Sequence, residues 1–286
     1  MRQINSTITL YTEMVVDLAI INNHKKMLAY HSCEQPLVLQ IGGSYPNLLK
    51  QATKIAKEYG FNEVNFNVGC PSSRVQSGKF GACLMAEQNL VAECVAHMSF
   101  NIPNISVKHR LGLGYRVSYQ QLQNFVQTVA NSGCGKFIVH ARTAILQGLN
   151  PKQNRNIPPL QYDLVYKLKQ DFLKKEIIIN GGVTSLEAAK KHMQYVDGVM
   201  IGRAAYYNPF MFANGSVTRQ QVAIKMIPYL QQLKNSQKIR VLIRHMMGLY
   251  YNTHLAKMWR MALTAIASDN DINQYYQLVK TLPEYL

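Results

Sequence analysis

Hydrophobic and polar positions alternate in two ways along roughly the first three quarters of the chain. Short apolar runs typical of buried strands alternate with longer segments whose apolar residues recur every three or four positions, as in amphipathic helices. We predict strands at Thr9–Val15, Pro36–Ile41, Glu63–Val68, Ile105–His109, Lys136–His140, Glu176–Asn180 and Gly198–Ile201. We predict helices at Asn47–Tyr59, Glu87–Phe100, Ser118–Ser132, Gln161–Phe172 and Ser185–Gln194. This alternation predicts βαβ units and a parallel sheet.

The order of these elements favours a (β/α)8 TIM-type barrel over a doubly wound sheet, because no GxGxxG fingerprint follows any predicted strand. Such a barrel closes with eight strands, but only seven can be counted in this chain. The first strand starts at Thr9, which leaves no room before it for another strand and its helix. We therefore expect an α/β fold built on an N-terminally truncated barrel, or on a barrel closed in an unusual way.

After residue 215 the strand pattern stops and helical periodicity remains. The predicted helices are Val217–Leu233, Lys238–Tyr251, Ala256–Ala267 and Asn273–Leu282. We therefore expect two domains, an α/β barrel over residues 1–215 and an all-helical domain over residues 216–286.

The chain is strongly basic, with 31 Lys and Arg against 15 Asp and Glu and a formal net charge of +16. This balance favours a polyanionic partner such as nucleic acid. From Arg219 to Ser268 there are eight Lys or Arg residues and no Asp or Glu, with Tyr250, Tyr251 and Trp259 among them. A solvated basic helix is the simpler interpretation, but an acid-free stretch of this length favours an RNA- or phosphate-binding face.

Composition also bears on location. No apolar run approaches the roughly 20 residues of a membrane-spanning helix, and the N-terminus lacks the apolar region of a secretory signal. The five cysteines are widely spaced and show no paired metal-binding spacing. We therefore expect reduced thiols, no metal site and a cytoplasmic protein.

Polar residues or glycines stand at the end of every predicted strand. Since active sites of β/α barrels lie at the carboxyl ends of the strands, these residues are expected to share one ligand. They are Glu13, Gln40, Asn65, Asn67, Lys108, Arg110, His140, Arg142, Asn180 and Arg203. We expect the Lys108 ammonium to contact an electron-rich organic ring or to form an interior salt bridge. His140 is expected to donate either to a ligand or to a structural hydrogen bond.

Glycines follow the last two predicted strands, where barrels commonly bind phosphate. Gly181-Gly182 and Gly202-Arg203 occupy these two ends. Glycine lets backbone N–H groups approach an anion closely, and the arginine can add a charged contact. A Gly-Gly pair alone is often only a turn, but the two pairs together predict a phosphate site.

The segment 64–85 places amides and a thiol at the same end of the sheet. Its strand ends in Gly69-Cys70-Pro71, and a loop of small residues leads to Cys83. A free thiol has an ordinary pKa of about 8.5, so it is mostly protonated at neutral pH and can act as an acid. We expect Cys83 to lie on a flexible loop, and Cys70, held between glycine and proline, to be structural.

These motifs together resemble the tRNA-dihydrouridine synthases, most closely the subgroup that modifies positions 20 and 20a of the D-loop. The similar segments run in one order through nearly the whole chain. They are YTEMV (11–15), LQIGGSYP (39–46), NFNVGCPSSRVQSGKFGACLM (65–85), VKHRLG (107–112), HARTAILQGLNPKQNRNIPPL (140–160), INGGV (179–183) and DGVMIGRAAYYNP (197–209). Members of this family begin with one more strand and helix, which agrees with the count of seven strands here.

The resemblance implies a flavoprotein oxidoreductase with an FMN-binding catalytic barrel and a helical tRNA-binding domain. It would reduce the C5–C6 bond of uridine, with NADPH as reductant, hydride passing from FMN to C6 and a proton from Cys83 to C5. The implied FMN-binding residues are Gln40, Lys108, His140, Asn180, Gly181, Gly182, Gly202 and Arg203. Asn67 is implied to help hold the flavin or the target base, and the implied residues for the tRNA are Lys152, Arg155, Lys257 and Arg260.

Two other functions remain open at this point. An FMN barrel reductase for a small molecule, similar to dihydroorotate dehydrogenase, would explain the NGG and GR motifs but not the basic helical region. A truncated tRNA-binding remnant without flavin would explain the basic region alone. We expect the protein to be a monomer.

Overall fold

The computed structural model describes residues 1–232 and 236–284, and the chain forms two compact units. The β/α unit comprises Thr9–Val183 and Glu187–Met200. The helical unit comprises Met1–Ile8, Thr184–Leu186 and Ile201–Leu286. Residues 201–215 thus group with the helices, although the sequence assigned them to the barrel. The functional division into a catalytic and a tRNA-binding domain stays a prediction.

The sheet of the β/α unit is parallel throughout. Its strands are β1 (Leu10–Tyr11), β2 (Val15–Val16), β3 (Leu37–Gly42), β4 (Glu63–Val68), β5 (Asn104–Arg110), β6 (Lys136–His140), β7 (Glu176–Asn180) and β8 (Gly198–Met200). Both β1 and β2 pair with β3, and the order then runs from β4 to β8 in sequence. Because β1 and β2 follow one another along β3, they are two parts of one interrupted strand. The prediction of seven strands in a parallel β/α arrangement is confirmed.

Helices cover this sheet. They are α1 (Asp17–Met27), α2 (Pro46–Glu58), α3 (Ser73–Ser77), α4 (Gln88–Ser99), α5 (Tyr119–Asn131), α6 (Tyr162–Asp171) and α7 (Leu186–His192). The strand face that packs against the helices is apolar, and Leu39, Phe66, Val107 and Val139 on it are all fully buried in one core. Burial of each such side chain contributes about 1.5–3 kcal/mol. The opposite face carries polar side chains, among them Gln40, Asn65, Ser106 and Lys108.

Three ion pairs among the described residues of the β/α unit lie at the amino ends of the strands. Lys136, the first residue of β6, contacts Glu63 of β4 at 3.1 Å and Glu176 of β7 at 3.4 Å. Lys169 contacts Asp197, just before β8, at 2.8 Å. These acids are therefore paired at the end of the sheet opposite to the predicted site.

The helical unit contains α8 (Arg203–Tyr207), α9 (Arg219–Lys225), α10 (Ile227–Gln231), α11 (Ser236–Ile243), α12 (Ala256–Asp269) and α13 (Ile272–Lys280). The predicted helix from residue 217 is divided in two, with Pro228 in the first turn of α10, where proline is tolerated. Its predicted end at Leu233 lies outside the described residues. The predicted helix to residue 251 is helical only as far as Ile243, and turns follow.

Large aromatic residues form the core of the helical unit. Trp259 is fully buried, donates from its indole nitrogen to the Met246 carbonyl at 2.9 Å, and lies 4.9 Å from the Tyr250 ring. Ile4, from the start of the chain, is buried in the same cluster. Of the three aromatic residues noted in the basic stretch, only Tyr251 is exposed. Tyr250 and Trp259 therefore stabilise the unit and are not available to contact RNA.

No helix among the described residues is long and apolar enough to cross a membrane.

Candidate active site

Side-chain amides from β3 and β4 form a chain of hydrogen bonds at the centre of the sheet. Gln40 donates to Asn65 Oδ1 at 2.8 Å and accepts from Asn67 Nδ2 at 2.8 Å. Asn65 is fully buried and donates to Ser106 Oγ of β5 at 3.0 Å. Asn65 and Asn67 point to the same face because side chains two residues apart in a strand do so. The structure thus brings together two of the predicted site residues, Gln40 and Asn67.

The other end of the Asn67 amide shapes the turn that follows β4. Its Oδ1 accepts the backbone N–H groups of Gly69 at 3.1 Å and Cys70 at 3.0 Å. Both polar ends of this amide are therefore held, and its orientation is fixed. The Cys70 thiol donates to Ser72 Oγ at 3.6 Å, and the Ser72 side chain caps α3.

Cys83 lies in a 3₁₀ helix, Gly81–Ala86, and not on the flexible loop that the sequence suggested. The helix packs against β4 and β5 and is tied to the β4 turn by the Ala82 N–H, which donates to the Cys70 carbonyl at 2.9 Å. The half-buried Cys83 thiol donates to the Phe80 carbonyl at 3.1 Å. Burial raises the pKa of this thiol, so it stays protonated at neutral pH.

Lys108 of β5 stands beside Asn67 in the sheet register. In the described part of the chain, its ammonium group has no hydrogen bond or ion pair, which argues against the interior salt bridge that the sequence left open. Burial, with a smaller contribution from nearby Arg110, lowers the pKa of Lys108 to about 8. The site therefore holds an ammonium donor that a ligand could satisfy.

Arg110 ends β5 and joins three segments through backbone carbonyl groups. It donates from Nε to Gly69 at 3.0 Å and from Nη1 to Thr143 at 2.8 Å and Asn154 at 2.9 Å. Burial lowers its pKa to about 10, with Arg155 and Arg142 adding to the effect. Arg110 thus connects the turn before Cys83 to the loop that follows β6.

That loop is organised by Asn154, which the sequence analysis missed. The side chain is fully buried, accepts the Ile145 N–H at 2.8 Å and donates to the Ile145 carbonyl at 2.9 Å. Gln76 of α3 adds a bridge to the same loop, donating to the carbonyls of Pro71 at 2.9 Å and Leu146 at 3.1 Å. Lys152 and Arg155 are exposed on either side of Asn154. A lone asparagine between two basic residues gives no sequence signal of burial.

The ends of β6 and β7 meet at glycines. His140 is buried and pairs in register with Asn180, which donates to the Met200 carbonyl at 2.8 Å. Gly181 has a φ of +109°, and a Cβ there would stand 2.6 Å from the His140 ring. Gly182 has a φ of +73°, and a Cβ there would stand 2.6 Å from the Tyr162 hydroxyl. Both positions therefore require glycine for packing and for backbone conformation.

The predicted site residues divide between the two units. The β/α unit holds Gln40, Asn67, Cys83, Lys108, His140, Lys152, Arg155, Asn180, Gly181 and Gly182, whereas the helical unit holds Gly202, Arg203, Lys257 and Arg260. Arg203 is the first residue of α8. Lys257 and Arg260 are exposed, three residues apart on α12, and so share one face of that helix.

The arrangement in the β/α unit suits a planar, polar ring. The fixed amides of Gln40 and Asn67 offer donors and acceptors, Lys108 offers a positive charge, and Cys83 offers a protonated acid.

Comparison with known proteins identifies close relatives. A family model described as "Dihydrouridine synthase (Dus)" matches residues 1–282. A "tRNA-dihydrouridine(20/20a) synthase" of Shewanella oneidensis is 47% identical over 298 residues, covering 98% of this chain and 89% of the relative. One of Synechocystis sp. is 45% identical over 278 residues, covering 92% and 83%. The solved structure "QR15, an Aldolase" is 11% identical with a TM-score of 0.42, covering 65% of this chain and 74% of that chain, so the assignment rests on the sequence relatives.

Proposed function

The chain belongs to the dihydrouridine synthase family, and on that premise we propose that it reduces the C5–C6 bond of uridine to dihydrouridine in tRNA. Its relatives bear the name tRNA-dihydrouridine(20/20a) synthase, which supports positions 20 and 20a of the D-loop as the targets. The strong excess of basic residues supports a tRNA substrate.

FMN fits the residues at the strand ends. Lys108, which has no partner among the described residues, can satisfy an electron-rich ring position, and the amides of Gln40 and Asn67 can pair with its edge. His140, Asn180, Gly181 and Gly182 would complete the binding site in the β/α unit. Gly202 and Arg203, which the family resemblance assigns to the same cofactor, belong to the helical unit. When bound, FMN supplies hydride to C6 of the uracil. NADPH is the proposed reductant.

Cys83 is the proposed proton donor to C5 of the same ring. Its raised pKa supports this role, because a general acid must carry its proton at the working pH. The hydrogen bond to the Phe80 carbonyl holds the thiol in one orientation, and the 3₁₀ helix anchors it beside the β4 turn.

The target uridine must leave its stack to reach this site, as bases do in other base-modifying enzymes. Lys152 and Arg155 lie in the loop that Arg110 ties to the site through its hydrogen bond to the Asn154 carbonyl. They would contact the tRNA backbone from the β/α unit. Lys257 and Arg260 would do so from α12. Such phosphate contacts position the RNA without reading its sequence. We propose that the protein acts as a monomer.

The observation that carries this proposal is the match of the family model to nearly the whole chain. The test is to purify the protein, record its flavin absorbance, and incubate it with NADPH and unmodified tRNA. We expect a yellow protein and dihydrouridine in the D-loop, detected by nucleoside mass spectrometry. A yellow protein that oxidises NADPH without modifying tRNA would instead support a small-molecule reductase, and a colourless protein that binds tRNA would support a remnant without flavin.

A further inference from the structure

Two exposed tyrosines stand at the carboxyl ends of β3 and β5, the two neighbours of β4 in the sheet. Tyr45 follows β3 and is 61% exposed, and Tyr115 follows β5 and is 75% exposed. In the described residues, neither ring contacts another aromatic ring and neither hydroxyl makes a hydrogen bond. The β4 turn that leads to Cys83 thus has an exposed tyrosine in the segment that follows each of the two neighbouring strands.

Tyr45 occupies a position that its residue type does not suit. It is the N-cap of α2 and makes no side-chain hydrogen bond to the helix. Ser, Thr, Asp or Asn there would accept a backbone N–H and stabilise the helix. A residue that breaks a local rule without a visible structural gain suggests a functional constraint.

Tyr115 stands on a loop that is held firmly in place. The Leu111 N–H donates to the Arg142 carbonyl at 3.1 Å, and the Gly114 N–H donates to the Ala144 carbonyl at 2.9 Å. Leu113 also bridges Ala144. The tyrosine is therefore presented to solvent from a fixed backbone, at low entropic cost for binding.

Charge decides which partner these rings suit. Arg116 is exposed beside Tyr115, and the loop after β6 to which this segment is bonded carries exposed Lys152 and Arg155. Aromatic rings interleaved with basic residues are the means by which proteins hold unpaired nucleotides, the rings stacking on bases and the cations binding phosphates. A protein partner would need a strongly acidic surface to match.

We propose that Tyr45 and Tyr115 stack on unpaired bases of the bound RNA, on either side of the segment that carries Cys83, and that Arg116 contacts an adjacent phosphate. This inference rests on the proposed function for the identity of the RNA. It adds a stacking surface that selects unpaired loop nucleotides over duplex RNA.

The test measures the dissociation constant for unmodified tRNA and for a fully paired RNA duplex at one fixed salt concentration. Tyr115→Ala should weaken tRNA binding by about fivefold or more, since stacking is worth about 1–3 kcal/mol per base, and leave duplex binding unchanged. Tyr115→Phe should bind like the wild type, because the ring and not the hydroxyl is used.

Tyr45→Ser separates stacking from folding. Serine should cap α2 and raise the melting temperature, while tRNA binding weakens several-fold. The matched control is Phe100→Ala, because Phe100 is 76% exposed but lies before β5, at the other end of that strand; its loss should not change tRNA binding.

Equal tRNA affinity of the wild type, Tyr115→Ala and Tyr45→Ser would overturn this inference and leave the proposed function intact. Equal losses for tRNA and duplex would also overturn it, because unpaired bases would not be the ligand. A wild-type protein that does not bind tRNA would overturn the proposed function itself, and this inference with it.

Discussion

Burial acts in opposite directions on the two titratable side chains at the centre of the candidate site. It raises the pKa of the Cys83 thiol and lowers that of the Lys108 ammonium, because in both cases the charged form is the one that loses water. The thiol therefore keeps its proton, as an acid requires. The ammonium is destabilised until an electron-rich ligand compensates for the lost hydration.

Replacement of Cys83 tests the acid role. Cys83→Ala should lower the rate of dihydrouridine formation by about 10²-fold or more, in the range of general acid catalysis, while flavin and tRNA still bind. The wild-type rate should fall as pH rises through the raised thiol pKa, because the thiolate has no proton to give. Cys70→Ala is the control and should retain activity. Loss of activity in Cys70→Ala together with full activity in Cys83→Ala would show that Cys70, and not Cys83, is the acid.

Replacement of Lys108 tests its burial. Because its pKa is lowered to about 8, the charge destabilises the flavin-free protein below that pH, and the penalty disappears as pH rises toward the ordinary lysine value. Lys108→Met should therefore stabilise the flavin-free protein at neutral pH, on the order of 1–2 kcal/mol, and weaken FMN binding. Chemical denaturation at several pH values measures this. A variant that is less stable and binds FMN normally would refute both parts.

Among the elements, the 3₁₀ helix that carries Cys83 depends on a close approach at its first residue. Gly81 has a φ of +73°, and a Cβ there would clash with the Val75 side chain and stand 2.7 Å from the Cys70 carbonyl. The helix can therefore sit against the β4 turn only if this residue is glycine.

Gly81→Ala should shift the helix and lower activity, since a displacement of about 1 Å at a reacting group can cost roughly 10²-fold in rate. Gly215→Ala is the matched control: its φ of +84° is similar, but no atom lies within 4 Å of its Cβ position. Both variants should lose backbone stability, but Gly81→Ala should lose about 1–3 kcal/mol more, from overpacking. Similar melting temperatures and rates for the two variants would contradict the close approach.

The sequence predicts the elements of the sheet better than the details of the site. The hydrophobic periodicity predicts the strands, and Gln40, Asn67 and Lys108 stand near the ends of the predicted strands. They are therefore expected at one end of a parallel sheet, because the βαβ rule fixes the strand direction. The 3₁₀ helix around Cys83 was missed, since such short helices have a weak pattern. The buried roles of Asn154 and Trp259 were missed as well, because tertiary packing, not local pattern, decides whether a polar or amphipathic residue is enclosed.

For the whole molecule, the dominant property is its net charge of +16. The acids of the described ion pairs lie at the amino ends of the strands, and α12 presents Lys257 and Arg260 to solvent. A tRNA-binding function would use this charge through release of counterions from the RNA.

The double variant Lys257→Ala with Arg260→Ala should weaken tRNA binding and reduce the slope of log K against log salt by about 1–2. Lys174→Ala serves as control, since Lys174 is also exposed but lies just before β7, at the amino end of the sheet. The measurement is the tRNA dissociation constant of the wild type, the double variant and the control over a series of salt concentrations. An unchanged slope in the double variant would remove these residues from the phosphate contacts.

The central claim, reduction of a tRNA uridine with Cys83 as the acid, is tested most directly by a single turnover. Flavin-loaded protein is reduced chemically without oxygen and mixed with unmodified tRNA, and flavin oxidation and dihydrouridine are followed together. We expect the wild type to form about one dihydrouridine per reduced flavin. In Cys83→Ala, both dihydrouridine formation and flavin oxidation should be much slower than in the wild type. A wild-type protein that binds both flavin and tRNA but forms no dihydrouridine would contradict the account.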